Sequence, residues 1–138
     1  WRGRGPAWAF GRDPGRNDAV LREVVASAAS TRLLVDLHGR EEPFVAPRLT
    51  DAQVDNLFAA ILIAWQAGLE LSEIRAAVAE LEPVRGRGVI SEHRGVTVVD
   101  DTYNANPEAV KKLLHWAAGA FPRPLVAVLG DMLELHQD

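Results

Sequence analysis

Val96-Thr97-Val98-Val99-Asp100-Asp101-Thr102-Tyr103-Asn104-Ala105-Asn106-Pro107 decides how this chain is read. An apolar, β-branched run ends in two carboxylates, a tyrosine and two asparagines, and helical spacing follows. A turn needs only one or two such polar residues, so the surplus points to a ligand. Asn106 suits an N-cap and Pro107 the first helical position. Glu108 is well placed in the first turn, and Val110, Leu113, Leu114 and Ala117 mark the face expected to be buried. A second apolar run, Leu125-Val126-Ala127-Val128-Leu129, predicts the next strand and ends in Gly130-Asp131-Met132-Leu133-Glu134-Leu135. Strand, helix and strand make a βαβ unit, the opening of a doubly wound α/β sheet. Adjacent strand ends finishing in acidic residues are where such sheets hold ligands.

Working back, Val89-Ile90-Ser91 and the strand from Val96 to Asp100 flank Glu92-His93-Arg94-Gly95, a hairpin-like turn. A break in character falls near Pro83 to Gly88. Before it, Ser72 suits the cap of a helix with Ile74, Val78 and Leu81 inward, ended by Pro83. Thr50 and Gln53 have the spacing of a capping box. They open a longer helix through Leu57, Ala60, Ile61, Ala64 and Trp65 to Gly68. Arg32 to Leu37 reads as a strand that turns at His38-Gly39-Arg40-Glu41 into a second around Pro43 to Ala46. Val20, Leu21, Val24 and Val25 suit a helix face over Ala19 to Ala26, and a half-buried strand fits nearly as well.

Bulk properties narrow the function. The 138 residues suffice for one domain or pieces of two. A net charge of -4 argues against a general nucleic-acid binder. With no cysteine there is neither a disulfide framework nor a thiolate metal site, which fits a reducing compartment. The longest apolar segment, Leu57 to Gly68, is too short to span a bilayer, so no membrane insertion is expected. Trp1-Arg2-Gly3-Arg4-Gly5-Pro6 has neither an initiator Met nor a signal-peptide core, which predicts a piece of a longer protein. The four histidines, at 38, 93, 115 and 136, lack metal-ligand spacing. Trp65 and Trp116 suit packing better than base stacking, and Arg2, Arg4, Arg12 and Arg16 with Trp8 suit a frayed end better than a nucleic-acid arm.

The Asp100 to Pro107 string, the Gly130 to Leu135 strand end and the preceding Arg85-Gly86-Arg87-Gly88 together resemble the Mur ligase family. The resemblance is strong from about Leu49 to Leu135 and loose before it. It implies an α/β fold: residues 1–87 as the back half of the central ATP-binding domain, and 88–138 as the first βαβ unit of a Rossmann-like C-terminal domain. It further implies a cytoplasmic, monomeric, ATP-dependent amide ligase of peptidoglycan synthesis. The Asn-Ala-Asn-Pro loop suggests that D-alanyl-D-alanine is joined to a UDP-N-acetylmuramoyl tripeptide. Mg and the phosphate cradle would come from elsewhere, because no Gly-Lys-Thr or Gly-Lys-Ser motif occurs in this sequence. The chain alone is therefore expected to be inactive, with no catalytic residue identifiable in it.

By the same resemblance, Arg87 matches an arginine that reaches the nucleotide, a role suited to a guanidinium fork. Asp101 matches an aspartate that accepts from the ribose hydroxyls, and Asn56 an asparagine on the adenine. Tyr103, Asn104, Asn106, Asp131 and Glu134 fall at the loop or substrate-facing edge. Each has a plainer reading: Arg87 as a solvated linker residue, Asp100 and Asp101 as turn formers, Asn56 as a polar helix residue. Tyr103 could be packing, Asn104 a loop brace, Asn106 only the cap and Glu134 a solvated helix start. One departure counts against the adenine contact. The family pattern Gly-x-His-Asn-x-x-Asn stands here as Thr50-Asp51-Ala52-Gln53-Val54-Asp55-Asn56, keeping only the last asparagine. A ligase for another amino acid, or a degenerate binding module, remain the competing readings.

Overall fold

The computed structural model describes residues 9–122 and 124–132. The chain forms two compact units, Trp1–Glu82 and Pro83–Asp138. The division falls ahead of the 87/88 boundary expected from sequence.

The first unit holds β1 (Phe10–Gly11), β2 (Ala19–Ala26), β3 (Ser30–Leu37), β4 (Arg40–Pro47), α1 (Asp51–Gln66) and α2 (Leu71–Ala79). The strands lie in chain order, with β1 parallel to β2 and the rest antiparallel. The ambiguous Ala19 to Ala26 is a strand. Ala19 and Leu21 pair with Leu37 and Val35 on the inward face, and the β3 ladder settles a choice that periodicity left open. His38 and Gly39 turn β3 into β4 with φ of 54° and 84°, the doubly positive pair that matches the twist of a tight hairpin. Pro43 is tolerated because β4 is an edge strand.

Thr50 caps α1 as expected. Its hydroxyl accepts from Gln53 N at 3.4 Å and its own N–H donates to Gln53 Oε1 at 2.8 Å. The helix then buries Val54, Leu57, Phe58, Ile61 and Leu62. Helix α2 begins two residues earlier than Ser72 predicts. Glu70 is the N-cap, and its N–H donates to the Glu73 carboxylate at 3.0 Å. This start brings Leu71 into the core beside Ile74 and Val78. Leu81, expected inward, lies beyond the helix end and is exposed. The core joins these helix faces to Leu33, Val35, Phe44 and Ala46. Glu42 is also buried on the core face of β4, paired with Arg40 and with Arg75 of α2.

The second unit holds β5 (Val89–His93), β6 (Val96–Asp100) and α3 (Pro107–Ala120). Arg94 and Gly95, at φ 52° and 78°, close the β5–β6 hairpin. Asn106 Oδ1 accepts from Ala109 N at 2.9 Å, and Pro107 opens α3 as expected. Two expectations are corrected. No residue of α3 is fully buried: Val110, Leu113 and Ala117 are half-buried, and Leu114 is exposed. Leu125 to Leu129 forms no strand, with Val126 and Val128 88% and 92% exposed. Its strand propensity is real, but a strand also needs a ladder. Among the described residues the sheet of this unit is the β5–β6 hairpin, to which the segment does not pair. The fold is mixed α/β, and among the described residues the expected βαβ unit is a hairpin, a helix and a segment outside any strand.

Candidate functional site

The register of the second hairpin builds the site. Val89, the first residue of β5, pairs with Asp100, the last of β6. The chain entering β5 therefore lies beside the chain leaving β6, which brings Arg85-Gly86-Arg87-Gly88 against Asp100-Asp101-Thr102-Tyr103. Gly86 is buried at φ 73°, and its carbonyl accepts from Tyr103 N at 3.0 Å. A Cβ at Gly86 would meet Tyr103 N at 3.0 Å and Tyr103 Cβ at 3.2 Å, so the approach requires glycine both for its φ and for space.

Asp100 locks the turn from the other side. Its Oδ1 accepts from Thr102 Oγ1 at 2.7 Å and from Thr102 N at 3.2 Å. The Thr102 hydroxyl foremost, then the Thr102 amide, hold the Asp100 carboxyl below the usual aspartate range. A backbone hydrogen bond from Gly86 and the charge of Arg85 add to this, with desolvation opposing. Asp100 is therefore an ionised brace of the loop. Asp101 follows it, half-buried.

Over this frame the Arg87 guanidinium carbon sits 3.9 Å from the centroid of the Tyr103 ring. That is a close cation–π contact. The ring is 68% exposed, so it contributes little to any core. A cation and a half-buried acidic residue thus share one strand end, a combination that suits an anionic, hydroxyl-bearing ligand.

Arg87, Asp101 and Tyr103 are the expected site residues that this unit brings together. Asn104 Oδ1 accepts from Ala105 N at 2.8 Å, and Asn106 is occupied as the α3 cap, so their plainer readings describe the contacts seen. Asp131 is exposed, and Glu134 lies outside the described residues. Asn56 is an exposed residue of α1, in the first unit. Its neighbour Asp55 pairs with Arg12 at 2.9 Å, so Arg12 is not part of a frayed end. Both side chains are more than half exposed, and the pair contributes little to stability. They flank an open cleft of about 280 Å³ with Phe10, Gly11, Leu21 and Phe58. Gly86 and Thr102 as braces were missed. The signal for Thr102 was present in the Asp-x-Thr spacing of a side-chain-braced turn. Nothing local pointed to Gly86, whose partner is 17 residues away in sequence.

Residues 86–138 match the family described as Mur ligase, glutamate ligase domain. The chain is 36% identical over 103 residues to the UDP-N-acetylmuramoyl-tripeptide–D-alanyl-D-alanine ligase of Mycobacterium leprae, covering 64% of this chain and 20% of that one. It is 30% identical over 118 residues to the UDP-N-acetylmuramate–L-alanine ligase of Acidiphilium cryptum, covering 83% of this chain and 24% of that one. The crystal structure of the MurF ligase from Thermotoga maritima in complex with ADP superposes with a TM-score of 0.69 at 26% identity, over 80% of this chain and 25% of that one. The chain spans about a fifth to a quarter of the length of these proteins. In sequence over most of its length, and in fold, it resembles the Mur ligases.

Proposed function

We propose that this chain serves as a section of an ATP-dependent amide ligase of peptidoglycan precursor synthesis, supplying one edge of its nucleotide site. The observation that carries the reading is the Arg87–Tyr103 pair beside Asp101, inside the residues that match the family. Arg87 would reach phosphate or ribose oxygens, Asp101 would accept from the ribose hydroxyls, and Asn56 would face the adenine. In this reading residues 1–87 belong to a central ATP-binding domain and 88–138 to a C-terminal one. A substrate carboxylate takes the γ-phosphoryl group, and an amine then attacks the acyl phosphate and releases phosphate. The work asked of this section is positioning and charge compensation.

The ADP in a related structure supports the nucleotide assignment. Mg is assigned to no residue here: among the described residues no three His, Cys, Asp or Glu converge on one point. The lost family residues at Ala52 and Gln53 do not argue for degeneracy by themselves, because Gln53 has a structural task in the α1 cap. Two amine substrates merit testing. The mycobacterial relative and the Asn-Ala-Asn-Pro loop favour D-alanyl-D-alanine with UDP-N-acetylmuramoyl tripeptide. The longer match to the Acidiphilium cryptum protein favours L-alanine with UDP-N-acetylmuramate.

The test is ATP-dependent phosphate release by the gene product that carries this sequence, with each substrate pair supplied separately. Release with one pair, reduced in Arg87→Ala and in Asp101→Ala, is the expected result. No release with either pair from folded protein would sink both substrate assignments and leave a ligase for another amino acid or a non-catalytic binding module.

A further inference from the structure

We propose that Tyr103 is a positioning residue for Arg87, holding the guanidinium ready at the strand end before nucleotide arrives. This rests on the nucleotide reading above and adds to it the means by which the cation is placed.

An exposed arginine explores many rotamers, and ordering it on binding costs affinity. Here the side chain already lies over an aromatic face at 3.9 Å. The ring itself is placed by its backbone. The Tyr103 N–H donates to Gly86 O at 3.0 Å, and Gly86 immediately precedes Arg87, so one hydrogen bond sets ring and guanidinium in register. The positive φ of Gly86 and the close approach to Tyr103 leave that register no slack. Thr102, pinned to Asp100 by two hydrogen bonds, fixes the residue before the ring. A tyrosine that is 68% exposed adds little to packing, yet three neighbouring residues fix where it stands. The assignment calls for the aromatic face and not the hydroxyl: phenylalanine would serve and leucine would not.

The test uses the gene product carrying this sequence, with ADP as the probe, and reads two quantities. The first is the Arg87 Nε–H resonance without nucleotide, which the ring current of Tyr103 shifts upfield. The second is ADP affinity. Tyr103→Leu should abolish the shift and weaken ADP roughly two- to fivefold, the range of an exposed cation–π contact. Tyr103→Phe should restore both. Arg87→Ala should weaken ADP more, and adding Tyr103→Leu to it should cost nothing further, because the ring acts through the guanidinium. The proposal is overturned if the resonance does not move in Tyr103→Leu, or if Tyr103→Phe behaves like leucine. It is equally overturned if the double variant is weaker than Arg87→Ala by the tyrosine's own factor, which would make the ring a direct ligand contact. An ADP affinity unmoved by Arg87→Ala overturns the nucleotide reading itself, and with it the purpose assigned to Tyr103, even where the ring-current shift persists.

Discussion

Gly86→Ala is the substitution that best tests the clasp beneath Arg87. Three effects compete. An L-residue held at φ 73° costs about 1 kcal/mol or somewhat more. Replacing glycine also lowers the entropy of the unfolded chain, which offsets about 0.5 kcal/mol of that. The new methyl would stand 3.0 Å from Tyr103 N, a backbone atom that cannot step aside without lengthening its bond to Gly86 O. Losing that bond adds about 1 kcal/mol. The sum is about 1.5 kcal/mol, most of it local to the loop. Amide hydrogen exchange reads this directly: the Tyr103 N–H should exchange roughly 10-fold faster if opening of the clasp governs its exchange. Gly95→Ala is the matched control in the same unit. It has a φ of 78° but nothing within 4 Å of its Cβ, so it carries strain without the collision. Gly86→Ala should therefore exceed Gly95→Ala by about the energy of the lost hydrogen bond. Equal effects, or an unchanged Tyr103 exchange rate, would refute the account of the clasp.

Three further outcomes are expected. Arg75→Ala should destabilise the first unit by about 2 kcal/mol in urea unfolding, since it strips buried Glu42 of one partner and loses the bond to Pro43 O. Arg40→Ala should cost less than half of that, because Arg40 is 73% exposed and its pairing is screened by solvent. Asp36, whose carboxyl is held low chiefly by its hydrogen bond from Arg22, stabilises the fold above the ordinary aspartate value of 3.8. That contribution is lost as pH falls through its depressed folded value, so Asp36→Asn should flatten the acid limb of a stability–pH curve. Asn106→Ala should remove the α3 cap at a cost of about 1 kcal/mol, seen as lost helicity, while Asn106→Ser should keep most of it.

The parts of the fold that sequence revealed are those whose causes are local. Thr50 with Gln53 and Asn106 with Pro107 each declare themselves within four residues and form as read. The turn expected over His38 to Glu41 instead closes at His38-Gly39, with Arg40 and Glu41 already in β4. Ser72 misled because Ser is a good cap in general, whereas here Glu73 turns Glu70 into the cap. Ala19 to Ala26 needed β3 to decide it. Leu125 to Leu129 failed for the same reason in the opposite direction. Its composition suits a buried strand, but composition supplies no hydrogen-bond partners. Glu42 is the clearest case of a residue that sequence alone places badly. A carboxylate alternating with Phe44 and Ala46 reads as an exception to the core face, and only Arg75, 33 residues on, explains it.

The candidate site lay between these extremes. Its two halves, Arg85-Gly86-Arg87-Gly88 and Asp100 to Tyr103, are each visible in sequence, and each has an unremarkable explanation when read alone. What joins them is a register: a two-residue turn at Arg94-Gly95 pairs Val89 with Asp100, and every later contact follows from that pairing. Because side chains alternate along a strand, a slip of one residue in this hairpin would send the Asp100 side chain to the opposite face and carry Thr102 and Tyr103 away from Gly86. The positive φ of Arg94 and Gly95 therefore bears on the seat of Arg87, a site several residues away. A turn chosen for its twist, a glycine chosen for its missing methyl and an aspartate kept ionised by Thr102 together present one cation. Reading that site from sequence requires deriving the hairpin register first and asking only then what the linker beside it can hold.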